Sequence, residues 1–91
     1  MKINELYKII NDRKINAPEN SYTASLFRQG RDRIIQKVGE EAVEVVIAAK
    51  NEDKKIIISE IADLLFHSLV LMNYLEIKPS QIMKELGARH K

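Results

Sequence analysis

The chain has no cysteine and no tryptophan, and only two prolines and three glycines among 91 residues. Without cysteine there is no disulfide, no zinc finger and no thiol nucleophile, and the composition suits a reducing, cytoplasmic setting. Aromatics make up 5%, too few for the stacked platforms that hold single-stranded nucleic acid. Neither charge sign dominates: fifteen Lys and Arg against thirteen Asp and Glu give +2, far from the field of a DNA-binding domain. Nucleic acid is therefore not an expected partner. No hydrophobic stretch approaches the ~20 residues that span a bilayer, and the opening MKINELYKIINDRK lacks the apolar core of a signal peptide. No membrane partner is expected. The length fits one small domain over residues 1–91, with a radius of gyration of roughly 12 Å. A Rossmann sheet or a TIM barrel would not fit.

Helical periodicity fills this chain. Ile3, Leu6, Tyr7, Ile9 and Ile10 lie near one face of a first helix that fades around residues 12–14. Residues 16–20 form a linker, with Pro18 driving Ala17 from helical angles. Ser21 caps a short second helix, which runs through Leu26 and which Gly30 ends. Asp32 is placed to cap a third helix reaching about Lys50. Asn51-Glu52-Asp53 interrupts the pattern before a fourth helix over residues 54–75. Pro79 suits the first turn of a last helix over residues 80–86, with Gly87 near its end. The run Ile56-Ile57-Ile58 has strand propensity, but the apolar pattern around it continues without a turn, so helix is the reading.

The apolar faces are too wide for a lone chain. On the third helix Val43 and Ile47 oppose the main stripe of Ile34, Val38, Ala42, Val45 and Ala49. The fourth is apolar nearly all round. A helix greasy on every side is buried on every side, so the expected class is an all-α bundle completed by homo-oligomerisation, most simply a homodimer.

Carboxylates interrupt these apolar helices. Glu40, Glu41 and Glu44 stand on the third helix, and Glu60 and Asp63 on the fourth. Glu41 and Glu44 lie about 60° apart on an ideal wheel, as do Glu60 and Asp63. The short break at residues 51–53 makes the two helices antiparallel neighbours, with Glu44 and Glu60 both ~10 Å from the tip. The two acid sets can then face each other. Two carboxylates ~5 Å apart repel by about 3 kcal/mol at an effective dielectric of 20, so such a cluster either takes up protons or holds a cation. An all-oxygen donor set favours a hard ion, Mg²⁺ with Mn²⁺ as a substitute, and Mg²⁺ with open water positions serves phosphate substrates. Taken singly, each acid motif is as compatible with a solvated helix face.

The pattern Glu40-Glu41-x-x-Glu44, fifteen residues, then Glu60-x-x-Asp63 resembles the signature of the all-α, MazG-like nucleotide pyrophosphohydrolases. The surrounding residues resemble the phosphoribosyl-ATP pyrophosphatase family: Ser21-Tyr22-Thr23 with Leu26, Lys37-Val38-Gly39-Glu40-Glu41-Ala42, Ala62-Asp63-Leu64-Leu65-Phe66-His67, and Arg89-His90. That resemblance implies a Mg²⁺-dependent helical dimer or higher assembly. Its substrate would be phosphoribosyl-ATP, hydrolysed to phosphoribosyl-AMP and pyrophosphate in the second step of histidine biosynthesis. It also implies metal binding by Glu40, Glu41, Glu44, Glu60 and Asp63, with Glu41 and Glu44 as catalytic carboxylates; of the two, the apolar setting of Glu41 favours it as acceptor of the water's proton.

Other residues have double readings. Lys37 is either a phosphate ligand or an i,i+4 partner of Glu41. Ser21, Tyr22 and Thr23 either touch substrate or cap a helix. Arg31, with Arg28 and Arg33, either steers a polyanion or is solvated. His67 fits core packing better than a place beside the metal. Two other functions suit the same sequence: a house-cleaning nucleoside triphosphate hydrolase, and a non-catalytic dimerisation module whose acids pair with Lys37, Lys50 and Lys55.

Overall fold

The computed structural model describes residues 1–90. Within them the chain forms five helices: α1 (Ile3–Asn16), α2 (Tyr22–Gln29), α3 (Arg31–Asn51), α4 (Lys54–Tyr74) and α5 (Pro79–Arg89). No strand occurs among the described residues, so the all-α expectation holds, Ile56–58 included.

Local chemistry sets most of the boundaries. The Ser21 hydroxyl accepts from the Ala24 amide at 3.1 Å and starts α2, supplying a partner to a first-turn N–H that the helix cannot satisfy itself. Asp53 does the same for α4, accepting from the Lys55 and Ile56 amides at 3.0 and 3.4 Å. Gly30 joins α2 to α3 at φ 96°, a backbone region costly for a residue with a Cβ.

Three expectations need correction. Asp32 does not cap α3: Gly30 holds the cap position, and Asp32 sits in the first turn of the helix, where its charge still favours the positive end of the dipole. Helices α1 and α5 run past their expected ends, to Asn16 and Arg89. Ala17, at φ 44°, closes α1 with its amide on the Arg13 carbonyl. Finally, α4 is long and apolar enough to cross a membrane by length and composition, with a mean hydropathy of 1.6. Its midpoint carries Glu60 and Asp63, and α4 lies along α3 as the most extensive helix pair of the fold.

The core sits at one end of the molecule. Ile10, Leu26, Ile34, Leu69 and Val70 are fully enclosed, so α1, α2, the start of α3 and the later half of α4 surround them. The Tyr7 hydroxyl donates to the Ile77 carbonyl at 2.7 Å, fixing α1 to the α4–α5 connection. The rest of the α3–α4 hairpin projects beyond this core, and the radius of gyration is 14.2 Å against the roughly 12 Å of a compact chain this long. On the projecting arm Val43, Val46, Ile47, Ile56, Ile58 and Ile61 are exposed, Ile58 at 68%. Val43 and Ile47 do face away from the core, as their wheel positions require. The buried alanine of α3 is Ala48 at 5%, however, not Ala49.

Ile34→Ala, which opens a void in the enclosed core, is expected to cost about 2–4 kcal/mol in urea unfolding. Ile15→Ala, at a position 71% exposed, should stay within about 0.5 kcal/mol. Equal effects would show that the core lies elsewhere.

Candidate functional site

Antiparallel packing of α3 on α4 brings carboxylates from both helices together. Glu41 on α3 meets Glu60 and Asp63 on α4, each offering an oxygen within 4.8 Å of the others. Three of the five acids singled out in the sequence thus converge.

Glu44 adjoins this group. It lines, with Glu60, Ile47, Ala48, Asp53 and Ile56, a 100 Å³ pocket toward the hairpin tip, so Glu44 and Glu60 do share a level. Glu40 points elsewhere. Its carboxylate accepts from Arg33 Nη1 at 3.0 Å and from Gln36 Nε2 at 3.4 Å, because one residue's step along the helix turns it about 100° from Glu41.

Charge is unevenly compensated. The Lys37 ammonium lies 3.1 Å from Glu41 Oε1, with 17% and 12% of the two side chains exposed. That hydrogen bond, first of all, raises the lysine pKa; desolvation opposes it, and the charges of Glu41 and Glu40 add to it. Among the described residues Glu60 has no such partner. Its pKa is raised, first by desolvation and then by the negative charges of Asp63, Glu44 and Glu41. A carboxyl raised by desolvation and by neighbouring negative charge favours a proton or a nearby cation.

A second link runs from α2 to α4. The Tyr22 hydroxyl lies 2.9 Å from His67 Nε2, and His67 Nδ1 lies 2.7 Å from the Asp63 carbonyl. His67 is buried at 5% exposure and has a partner at each nitrogen, so it is a satisfied interior histidine. Ser21 is occupied as a helix cap, and Thr23 stands half-buried in the first turn of α2. Arg31 pairs with exposed Asp32 at 3.6 Å, Arg33 with Glu40, and Arg28 donates at 3.5 Å to the Glu19 carbonyl. The three arginines thus have separate partners rather than forming one patch.

Sequence reasoning missed two of these contacts. Arg33 and Glu40 are seven residues apart, two helical turns, a spacing that signals one face. Tyr22 and His67 are 45 residues apart, and no local pattern announces that pairing.

The sequence profile described as phosphoribosyl-ATP pyrophosphohydrolase matches residues 3–90. Proteins named phosphoribosyl-ATP pyrophosphatase are similar to the chain over nearly its whole length. That of Clostridium acetobutylicum is 50% identical over 97% of this chain and 80% of its own. The Geobacter sulfurreducens protein is 52% identical over 92% and 78%, and the Leptospira biflexa protein 55% identical over 94% of each. A profile match spanning the bundle, with relatives at this identity, leaves one assignment: the chain belongs to the phosphoribosyl-ATP pyrophosphohydrolase family.

Proposed function

We propose that this chain hydrolyses phosphoribosyl-ATP to phosphoribosyl-AMP and pyrophosphate, the second step of L-histidine biosynthesis, in the cytoplasm. The observation that carries the site is the convergence of Glu41, Glu60 and Asp63 within 4.8 Å. These oxygen donors fit a hard divalent ion, Mg²⁺ first and Mn²⁺ as a substitute. The upward-shifted Glu60 is the electrostatic counterpart of that fit. A divalent ion bound there supplies charge neutralisation for the triphosphate and acidifies the attacking water.

The chain's own groups have the remaining tasks. Water attacks phosphorus, the anhydride linking the α- and β-phosphates breaks, and pyrophosphate departs. Glu44 is the better placed of the two expected catalytic carboxylates to accept the water's proton. It is exposed beside Glu60, whereas Glu41 is engaged by Lys37. Lys37, held at the edge of the cluster, offers its ammonium to the phosphates. Ser21, Tyr22 and Thr23 approach the substrate from the start of α2, Arg31 guides it from the surface, and Glu40 reaches the metal through water.

Two other readings fare less well. A dimerisation module with lysine-paired acids would need Lys50 and Lys55 at the cluster, but among the described residues only Lys37 pairs there. For a house-cleaning hydrolase the names of the relatives offer no support. We also infer a homodimer or higher homo-oligomer, supported by the exposed valines and isoleucines of the projecting arm. Covering that apolar face stabilises by about 25 cal/mol per Å².

Glu41→Gln and Asp63→Asn should each abolish Mg²⁺-dependent pyrophosphate release while retaining helical circular dichroism. Full activity in either variant, or in excess EDTA, would refute the metal site.

Glu60 binds its proton more tightly folded than unfolded, so its contribution to metal-free stability is full below the ordinary glutamate range and is lost as pH rises through its raised value. Glu60→Gln should therefore raise the metal-free melting temperature at neutral pH and flatten that pH dependence. A melting temperature lowered by the substitution would contradict the repulsion.

Ile47→Glu would bury an unpaired charge between subunits. Light scattering is expected to show dissociation of this variant, and a parent that is already a stable monomer at micromolar concentration would rule out the assembly.

A further inference from the structure

The Tyr22–His67–Asp63 link has a definite polarity. The Asp63 carbonyl oxygen has lone pairs and no proton, so His67 Nδ1, 2.7 Å away, must carry the hydrogen in that bond. A neutral imidazole has one donor and one acceptor nitrogen. With Nδ1 protonated, Nε2 is bare, and the Tyr22 hydroxyl at 2.9 Å must donate to it. Packing holds the ring in this orientation. Phe66 and Tyr22 meet it edge to face at centroid distances of 5.1 and 5.8 Å, and at 5% exposure no bulk water replaces either partner. The single proton of the phenol is therefore committed.

We propose that His67 is a positioning residue that presents the Tyr22 hydroxyl, as an acceptor, to the substrate beside the acid site. The Nδ1-protonated imidazole ties the first turn of α2 to Asp63 on α4, leaving the Tyr22 oxygen with lone pairs alone. That oxygen accepts a hydrogen bond from a sugar hydroxyl or an ammonium and has nothing to donate to a phosphate. Among the groups of a nucleotide it therefore pairs with a donor, a ribose hydroxyl or the exocyclic N–H of the base, and not with the phosphate chain. Tyr22 is half exposed, so a ligand reaches it, and its partner His67 bonds the Asp63 carbonyl, which places it beside the cluster. The recognition part rests on the reaction proposed above; the tautomer does not.

The first test is ¹⁵N NMR of the histidine ring in the intact protein at pH about 8, above the ordinary histidine range. His67 is expected to show a protonated Nδ1 and a bare Nε2. A protonated Nε2, an averaged pair or an imidazolium would overturn the proposal, with no substrate needed.

The second test is kinetic. Loss of one hydrogen bond in Tyr22→Phe should raise KM for phosphoribosyl-ATP about fivefold and leave kcat within about twofold. His67→Gln places an amide oxygen where Nε2 stood and should keep KM within about twofold of the parent. His67→Asn keeps the donor to Asp63 but does not reach Tyr22, and should match Tyr22→Phe. The Tyr22→Phe/His67→Asn double variant should be no worse than either single one. Equal KM values for the Gln and Asn variants, or additive losses in the double variant, would overturn the positioning role. A parent without phosphoribosyl-ATP hydrolysis would count against the proposed reaction and leave the tautomer result to stand by itself.

Discussion

Mutual repulsion of three carboxylates is the constraint around which this small protein is arranged. Glu41, Glu60 and Asp63 each bring an oxygen within 4.8 Å of the others, where ionised carboxylates repel one another. The only protein cation engaged at the cluster among the described residues is Lys37, and it is bound to Glu41 alone. The uncompensated charge falls on α4, and Glu60 registers it. A fold that holds acids together against this repulsion gives up stability at the place where it gains affinity for a cation.

The position of the core follows from that arrangement. Carboxylates cannot sit among fully buried side chains, so the enclosed residues gather where α1 and α2 close over the start of α3 and the later half of α4. The acid site lies farther along the hairpin, beside the apolar arm. Val43, Ile47, Ile56 and Ile61 are about half exposed there, so the chain alone does not dry the surroundings of its own site. Under the proposed assembly a second subunit would cover that arm and lower the local dielectric, strengthening both the repulsion among empty carboxylates and their attraction for a cation.

Much of this was legible in the sequence because its signals were local. The Ser21 cap, the break at 51–53 and the helical period through Ile56–58 depend on residues within one or two turns, and each reads directly. The convergence of Glu41 with Glu60 and Asp63 was legible too, since a short connection forces antiparallel helices and fixes the levels of their residues. The pairing of Glu40 with Arg33 is not announced by the acid motif, although both residues lie on α3. The cap of α3 was misread because glycine and aspartate compete for that role, and the backbone turn at Gly30 decides it. Tyr22 and His67 meet only through tertiary packing of α2 on α4, which no periodicity encodes.

The proposed reaction needs a divalent cation. Its most direct test is pyrophosphate release by the unmodified protein from phosphoribosyl-ATP and from a panel of deoxynucleoside triphosphates, each with Mg²⁺ and with excess EDTA. Turnover of phosphoribosyl-ATP far above the rest of the panel, abolished by EDTA and restored by Mg²⁺, is the expected result. Comparable turnover of the deoxynucleotides, or release that persists in EDTA, would contradict it.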